Sequence, residues 1–362
     1  MKIDFAKLQY QYQLYKTEID NAIHSVLNKS NYIMGEEITQ LETLLEKFTK
    51  AKYAITCSSG TDALLLAMMA LDIKPGDEII TSPFTFIASA ETIALLGAIP
   101  VFVDIDEKTY NLDASKIEEK ISSKTKIIMP ISLYGQPSDM EMIQNIANKH
   151  SLKVLVDGAQ SFGATYKGIT DSNLGDISTT SFFPAKPLGC FGDGGAIFTN
   201  NYELSVKMKQ LRTHGQNKRY HHKYVGMGGR LDTIQAAVLI VKLRHYQNDL
   251  LLRQDVAHKY TEILKEKKLI LPFLDKNTTS VWAQYSIRVK NRNTVQDRLK
   301  EKGIPTAVHY PKPLHLQECF SYLGYKEGDF PVSELISNEI MSLPMNPYLK
   351  DEEIEYIAKS LS

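Results

Sequence analysis

Short apolar runs alternate with helical patterns between residues 53 and 157, and this alternation is the clearest signal in the chain. The predicted strands are residues 53–57, 78–81, 100–104, 126–130 and 153–157, and the helices between them include residues 62–71 and 88–96. Near-continuous runs of Val and Ile indicate strands buried on both faces, which is typical of a mostly parallel sheet with helical crossovers. The pattern therefore predicts an α/β domain.

Helical spacing also appears on both sides of this region. Residues 18–27 and 37–48 precede it, and a long helix begins at Asp232 and extends to about His258 or beyond. The remainder combines a strand-like run at residues 281–289 with helices at residues 294–302 and 351–361. We predict an N-terminal arm and large domain over residues 1–249, followed by a smaller α+β domain over residues 250–362.

Composition narrows the classes of function. Lys plus Arg equals Asp plus Glu at 42 each, so the charge balance does not favour nucleic acid or an anionic membrane as a partner. No run approaches the roughly 18 apolar residues of a membrane span, and the N-terminus has no signal-peptide core. Cys57, Cys190 and Cys319 lack CxxC spacing, and the His221-His222 pair has no companion at zinc-site spacing. We expect a cytoplasmic protein without a metal site.

Two turns between a predicted strand and a predicted helix contain candidate ligand groups. Residues 58–62, Ser-Ser-Gly-Thr-Asp, place backbone N–H groups at a helix start, where the dipole favours a phosphate. Ser59 or Thr61 acting only as a helix cap is the alternative. In residues 83–89, Phe86 either lies flat on an aromatic ligand ring or packs in the core.

Asp157 ends the apolar run Val154-Leu155-Val156. A carboxylate at the carboxyl end of a buried strand lies where α/β sheets bind ligands, and burial of an unpaired carboxylate is costly. A protonated pyridine nitrogen would pair its charge, whereas a cap for the following turn is the alternative.

Lys186 lies 29 residues after Asp157, among glycine, proline and small residues. Pyridoxal 5′-phosphate requires a lysine for a Schiff base and a carboxylate opposite its pyridinium nitrogen. Burial lowers the pKa of a lysine from about 10.4 and makes the amine a better nucleophile. The pair predicts a cofactor site and hence an enzyme.

Five segments, taken in order, resemble the signatures of the DegT/DnrJ/EryC1/StrS sugar aminotransferases. They are residues 60–64, 83–89, 157–160, 181–195 and 230–237. The resemblance spans essentially the whole chain. It implies the aspartate aminotransferase-like architecture of fold-type I pyridoxal-phosphate enzymes, with a mostly parallel seven-stranded sheet in the large domain. It also implies a homodimer with active sites at the subunit interface.

The resemblance assigns roles to individual residues. Lys186 would form the Schiff base, Asp157 would pair with the pyridinium nitrogen and Gln160 would contact the ring hydroxyl. The other cofactor contacts implied are the backbone N–H groups of Gly60 and Thr61 and the hydroxyl of Ser181 for the phosphate, and the ring of Phe86 for stacking. Some relatives have histidine at the lysine position and are dehydratases, so lysine favours transamination.

One position departs from the family pattern. Members usually have asparagine two residues before the arginine that matches Arg230, and that side chain reaches the cofactor phosphate of the neighbouring subunit. This chain has Gly228 there, which offers only its backbone. Either the phosphate has one contact fewer, or a nearby group such as Asn217 or Lys223 substitutes for the asparagine.

The segments at residues 213–222 and 308–311 resemble the branch that acts on UDP-linked 3-keto-N-acetylglucosamine or its uronate. The resemblance implies Met34, Arg230, His309 and Tyr310 as residues near the sugar, with Arg230 suited to a carboxylate of the sugar or of glutamate. L-Glutamate would give 2-oxoglutarate, and the product would be a 3-amino sugar for lipid A, lipopolysaccharide or another surface glycan. The rivals are a 4-keto-6-deoxy nucleotide sugar as substrate and a cofactor-binding regulator without turnover.

Overall fold

The computed structural model describes residues 1–361. The helices are α1 Leu8–Leu14, α2 Lys16–Lys29, α3 Glu36–Thr49, α4 Gly60–Ala70, α5 Ala88–Leu95, α6 Met140–His150, α7 Tyr202–Leu211, α8 Thr233–Leu264, α9 Arg292–Glu301, α10 Pro331–Glu339 and α11 Asp351–Ser360. The strands are β1 Tyr53–Cys57, β2 Glu78–Thr81, β3 Ile99–Phe102, β4 Thr125–Ile128, β5 Lys153–Asp157, β6 Thr165–Tyr166, β7 Ile169–Thr170, β8 Ile177–Ser181, β9 Gly195–Thr199, β10 Gln216–Lys218, β11 His221–His222, β12 Tyr285–Arg288 and β13 Ile340–Leu343.

A seven-stranded sheet with the order β1-β9-β8-β5-β4-β2-β3 forms the centre of the molecule. Strands β8, β5, β4, β2 and β3 pair in parallel, and β9 pairs antiparallel with both β1 and β8. This confirms the predicted α/β architecture with a mostly parallel sheet. Parallel pairing brings the carboxyl ends of β5 and β8 to one edge, where ligands bind in such sheets.

Helices cover both faces of the sheet because consecutive strand residues point to opposite sides. On one face Leu155 packs with Leu66 of α4 and Met208 of α7. On the other face Val154 packs with Ile143 of α6. Burial on both faces explains why these strands are continuous apolar runs in the sequence.

The C-terminal part of the chain has a second core around the antiparallel pair β12 and β13. Tyr260 near the end of α8 packs there with Leu299 of α9 and Ile357 of α11. Ile3 joins the same core, and its N–H donates to Gly303 O at 3.0 Å. The predicted boundary at residue 249 falls inside α8, and the division into two domains stays a prediction.

The long helix ends at Leu264, as the predicted extent to about His258 or beyond allows. The strand predicted at residues 281–289 is confined to Tyr285–Arg288. The N–H groups of Val281 and Ala283 donate to Gly135 O and Tyr134 O instead, so this stretch packs on the large sheet domain. Within residues 1–361, no helix has both the length and the apolarity to cross a membrane.

Candidate active site

Asp157 lies at the carboxyl end of β5 and is buried. The hydroxyl of Ser89 donates to its Oδ2 at 2.7 Å, and the N–H of Ala159 donates to its Oδ1 at 3.2 Å. Burial raises its pKa, and the bonds from Ser89 and Ala159 together with the charge of Lys186 oppose that rise. Asp157 thus caps its own turn and is also a buried carboxylate with no salt bridge in the described part of the chain.

Lys186 lies in a tight loop that follows β8. Its N–H donates to Phe183 O at 2.8 Å, and a Cβ at Gly189 would lie only 2.5 Å from Pro184 O, so the loop requires glycine there. The side chain is half-buried, and burial lowers its pKa to about 8 against the opposing charge of Asp157. A lysine with this pKa has a useful fraction of free amine near neutral pH, as a nucleophile needs.

A buried lysine on α8 anchors the same loop. The Nζ of Lys242 donates to the carbonyl oxygen of Gly189 and lies 5.7 Å from the centre of the Phe191 ring. Burial lowers its pKa to about 8. A buried cation on this carbonyl fixes the end of the loop that carries Lys186.

Gln160 is held between two tyrosines in the turn after β5. The N–H of Tyr134 donates to its Oε1 at 2.8 Å, and its Nε2 donates to the phenolic oxygen of Tyr310 at 3.1 Å. The ring of Phe86 lies 6.2 Å from that of Tyr310, centre to centre, and Phe86 is 55% exposed. Phe86 is therefore not a core residue in the protomer, and its ring is free to contact a ligand.

The turn before α4 combines a helix cap with free donors. Ser59 accepts from Asp62 N at 3.0 Å through its side chain, and the first intrahelical bond runs from Ala63 N to Ser59 O. The N–H groups of Gly60 and Thr61 precede that bond and point from the positive end of the helix dipole. A Cβ at Gly60 would lie 2.7 Å from Ser181 Cβ, so glycine lets this turn approach the Ser181 side chain.

His309 lies close to Lys186, and both line a cavity of about 90 Å³. Its Nδ1 is 2.9 Å from Ser342 Oγ, and its carbonyl oxygen accepts from the hydroxyl of Tyr134. Burial and the nearby charge of Lys186 lower its pKa to about 4. His309 is therefore a neutral imidazole at physiological pH.

Within residues 1–361, no hydrogen bond or ion pair joins the side chains of Met34 and Arg230, or Gly228, to this group. Met34 is exposed and adjoins the bridge between Ile33 and Asp232. The guanidinium of Arg230 is half-buried and has no hydrogen bond or ion pair within residues 1–361.

The side chain of His214 lies next to Gly228. A Cβ at Gly228 would lie 3.1 Å from Cε1 and 3.2 Å from Nε2 of His214. Neither Asn217 nor Lys223, both exposed, adjoins that position. His214 therefore occupies the place where an asparagine side chain at position 228 would begin.

These groups fit a pyridoxal phosphate. The ring nitrogen matches the buried unpaired Asp157, the ring face matches the exposed Phe86, and the aldehyde matches the half-buried amine of Lys186. The phosphate matches the free N–H groups at the start of α4. Each part of the cofactor thus matches a group of suitable chemistry in this part of the fold.

Several side chains of the site escaped prediction from the sequence. They are Ser89, Tyr134, Asp171, His214 and Lys242. Ser89 lies within the segment that contains Phe86, and its position one helical turn further along was the available signal. The others come from distant segments, and no local pattern marks them.

Comparison with known proteins agrees with this geometry. The DegT/DnrJ/EryC1/StrS aminotransferase family matches residues 13–362. A Pseudomonas aeruginosa protein named UDP-2-acetamido-2-deoxy-3-oxo-D-glucuronate aminotransferase is 49% identical over 360 residues, which is 99% of each chain. A Geobacillus stearothermophilus protein named pleiotropic regulatory protein is 43% identical over 365 residues, covering all of this chain and 98% of that one.

A solved structure extends the similarity to the fold. The Streptomyces venezuelae protein DesV, in complex with a ketimine intermediate, superposes with a TM-score of 0.97 at 34% identity, covering 99% of this chain and 97% of that one. The family match over nearly the whole chain confirms the resemblance drawn from five segments. The chain belongs to the DegT/DnrJ/EryC1/StrS aminotransferase family and is a pyridoxal-phosphate-dependent aminotransferase.

Proposed function

We propose that the enzyme transfers the amino group of L-glutamate to C3 of a UDP-linked 3-keto sugar, and that this sugar is the uronate of N-acetylglucosamine. The observation that carries the choice of a uronate is Arg230, a half-buried guanidinium without an acidic partner in residues 1–361. A carboxylate is the ligand that a guanidinium binds as a bidentate fork. The name of the Pseudomonas relative supports the same sugar.

The bound cofactor supplies an electron sink and carries the amino group between the two substrates. Lys186 Nζ takes the proton from the carbon that bears the amino group of glutamate and later delivers a proton to C3 of the sugar. Asp157 keeps a positive charge on the ring nitrogen by pairing with it. Phe86 fixes the plane of the ring and excludes water from one face.

The enzyme is proposed to work as a homodimer, with Arg230, Met34 and Gly228 entering the site of the partner. The absence of a hydrogen bond or ion pair of Arg230 within residues 1–361 supports this arrangement. Exposed apolar side chains nearby support it as well, since Tyr32, Ile33 and Val225 are 46%, 50% and 91% exposed. Such a surface is typical of a protein interface.

Complementation tests the shared site. We expect the Lys186→Ala protein to be inactive on the uronate and the Arg230→Met protein to keep about 1–10% of the wild-type kcat/KM. Mixed after mild dissociation, they should recover about a quarter of wild-type activity, because half of a random mixture is heterodimer and each heterodimer has one intact site. Failure to recover activity in verified heterodimers would contradict sharing of Arg230 between subunits.

The cytoplasm is the proposed compartment. Cys57, Cys190 and Cys319 are free thiols, and free thiols are typical of a reducing compartment. The proposed substrates of the enzyme, a nucleotide sugar and L-glutamate, are cytoplasmic metabolites.

Substrate choice is tested by mass spectrometry of products. The purified enzyme is incubated with L-glutamate and, separately, the 3-keto uronate, the neutral 3-keto sugar and a 4-keto-6-deoxy sugar. We expect the uronate to give the highest kcat/KM, and Arg230→Met to reduce it by about 10- to 100-fold, since a bond to a charged group contributes roughly 1.5–3 kcal/mol. The exposed Arg244→Met is the matched control.

Two results would redirect the proposal. Equal use of the uronate and the neutral sugar, with no selective loss in Arg230→Met, would assign Arg230 to glutamate. Absence of 2-oxoglutarate with every keto sugar would favour a regulatory role such as the name of the Geobacillus relative describes.

A further inference from the structure

A second buried carboxylate, that of Asp171, lies next to the turn that follows β5. Asp171, just after β7, is 1% exposed. Its Oδ1 accepts from Ser132 Oγ at 2.9 Å, and its Oδ2 accepts from Ser161 Oγ. Within residues 1–361 no lysine, arginine or histidine forms an ion pair with it. Two hydroxyls are thus its only side-chain partners.

Asp171 contacts the turn that carries Asp157. A Cβ at Gly158 would lie 2.8 Å from Asp171 Oδ2, so residue 158 must be glycine for the carboxylate to fit. The serine donors of Asp171 also bond to the backbone of this turn. Ser132 N donates to Asp157 O at 3.0 Å, and Ser161 N donates to Gly158 O at 3.1 Å. The carboxylate therefore connects the two segments that hold Asp157 in place.

The two carboxylates also interact through their charges. Burial raises the pKa of Asp171, the hydroxyls of Ser161 and Ser132 oppose that rise, and the charge of Asp157 adds to it, so that the pKa is about 6. Above that pH two negative charges lie close together in a region of low dielectric. A positive charge placed next to Asp157 relieves the repulsion.

We propose that Asp171 is a positioning residue of the cofactor site, which holds the turn of Asp157 and adds a second negative charge that strengthens binding of the protonated ring nitrogen. This inference rests on the proposed role of Asp157. Asp171 touches neither substrate nor cofactor and acts through Asp157. A role in packing alone would affect cofactor binding equally at all pH values, whereas a role of its charge depends on its ionisation.

The dissociation constant of pyridoxal 5′-phosphate, measured at pH 5 and at pH 8, separates these roles. At pH 8 Asp171 is ionised, so Asp171→Asn removes a charge, and we expect on the order of 3- to 10-fold weaker binding than wild type. At pH 5 Asp171 is protonated, so the dissociation constant of Asp171→Asn divided by that of wild type should be close to one. Taking the ratio cancels the titration of the cofactor phosphate.

Asp176→Asn is the matched control. Asp176 accepts from Lys153 Nζ at 2.8 Å and from Val154 N at 2.9 Å, at the opposite end of β5 from Asp157. We expect the same ratio to wild type at both pH values. If Asp171→Asn does not fold, Ser132→Ala carries the test, since loss of one donor raises the pKa of Asp171. Its binding should be weakened at pH 7 and match wild type at pH 8.5.

Two outcomes overturn the inference, and they are distinguishable. If wild type binds cofactor and transaminates, but the Asp171→Asn ratio is the same at pH 5 and pH 8, only this inference fails. If wild type does not bind the cofactor at either pH, the proposed function fails together with it.

Discussion

The amide nitrogen of Gln160 donates a hydrogen bond to the phenolic oxygen of Tyr310 at 3.1 Å. The bond joins the turn after the central strand β5 to a segment 150 residues later in the chain. Because Gln160 is buried, the bond fixes its amide at the edge of the cofactor site.

Tyr310→Phe should leave this buried amide without an acceptor. We expect a loss of about 1–2 kcal/mol in the free energy of unfolding, measured in urea, and weaker binding of the cofactor. Tyr356→Phe is the control, since the Tyr356 hydroxyl donates to Lys302 O at 2.9 Å in an exposed place. Equal effects of the two changes on cofactor binding would show that Tyr310 has no special role.

Phe86 should matter for the cofactor and not for folding. Phe86→Leu removes an exposed ring, so we expect an unfolding free energy within about 0.5 kcal/mol of wild type. Cofactor affinity should fall by about 2- to 10-fold through loss of ring stacking, worth roughly 0.5–1.5 kcal/mol. Calorimetric titration of the apoprotein measures this. Phe273→Leu, another exposed ring, should bind normally.

The lowered pKa of Lys186 predicts the pH dependence of cofactor attachment. Only the free amine reacts, so the attachment rate should rise with pH and level off above the folded pKa of about 8. Stopped-flow absorbance of the apoprotein mixed with cofactor measures this midpoint. The charge of Asp157 raises this pKa, so Asp157→Asn should move the midpoint lower. A midpoint near 10.5 would contradict burial of the lysine.

Lys242 should make stability depend on pH in the alkaline range. Its folded pKa is lowered to about 8 from 10.5, so between these values the unfolded chain binds more protons and stability rises with pH. Lys242→Met removes this dependence. The free energy of unfolding of Lys242→Met, measured in urea, should therefore fall by about 3 kcal/mol relative to wild type between pH 7 and pH 10.5. A pH-independent difference would indicate that only its bond to Gly189 matters.

The central strands and the main pair of candidate site residues were predictable from sequence. Buried parallel strands are continuous apolar runs, so the run ending at Asp157 gave both the strand and the position of its carboxylate. Lys186 was recognisable because a turn-rich loop of glycine, proline and small residues after the strand of Asp157 suggests a ligand site. The family resemblance then implied that both residues belong to one cofactor site.

The supporting contacts were not predictable, because tertiary packing brings together segments that are remote in sequence. Ser89 and Asp157 are 68 residues apart, and Lys242 is 53 residues from Gly189. The run at residues 281–284 looks like a strand, yet Val281 and Ala283 bond to the loop at Tyr134 and Gly135. Alternation of apolar residues does not specify which partner a strand-like segment finds.

The half-reaction with L-glutamate tests the central claim, that Lys186 is the reacting amine of a pyridoxal-phosphate aminotransferase. Holoenzyme is mixed with L-glutamate alone, and 2-oxoglutarate per site is quantified with the change in cofactor absorbance. Wild type and the surface control Lys209→Ala should both give about one equivalent. Lys186→Ala should lose the absorbance band of the attached cofactor and form no 2-oxoglutarate on the same timescale. A Lys186→Ala protein that keeps the band and forms 2-oxoglutarate at the wild-type rate would contradict the account.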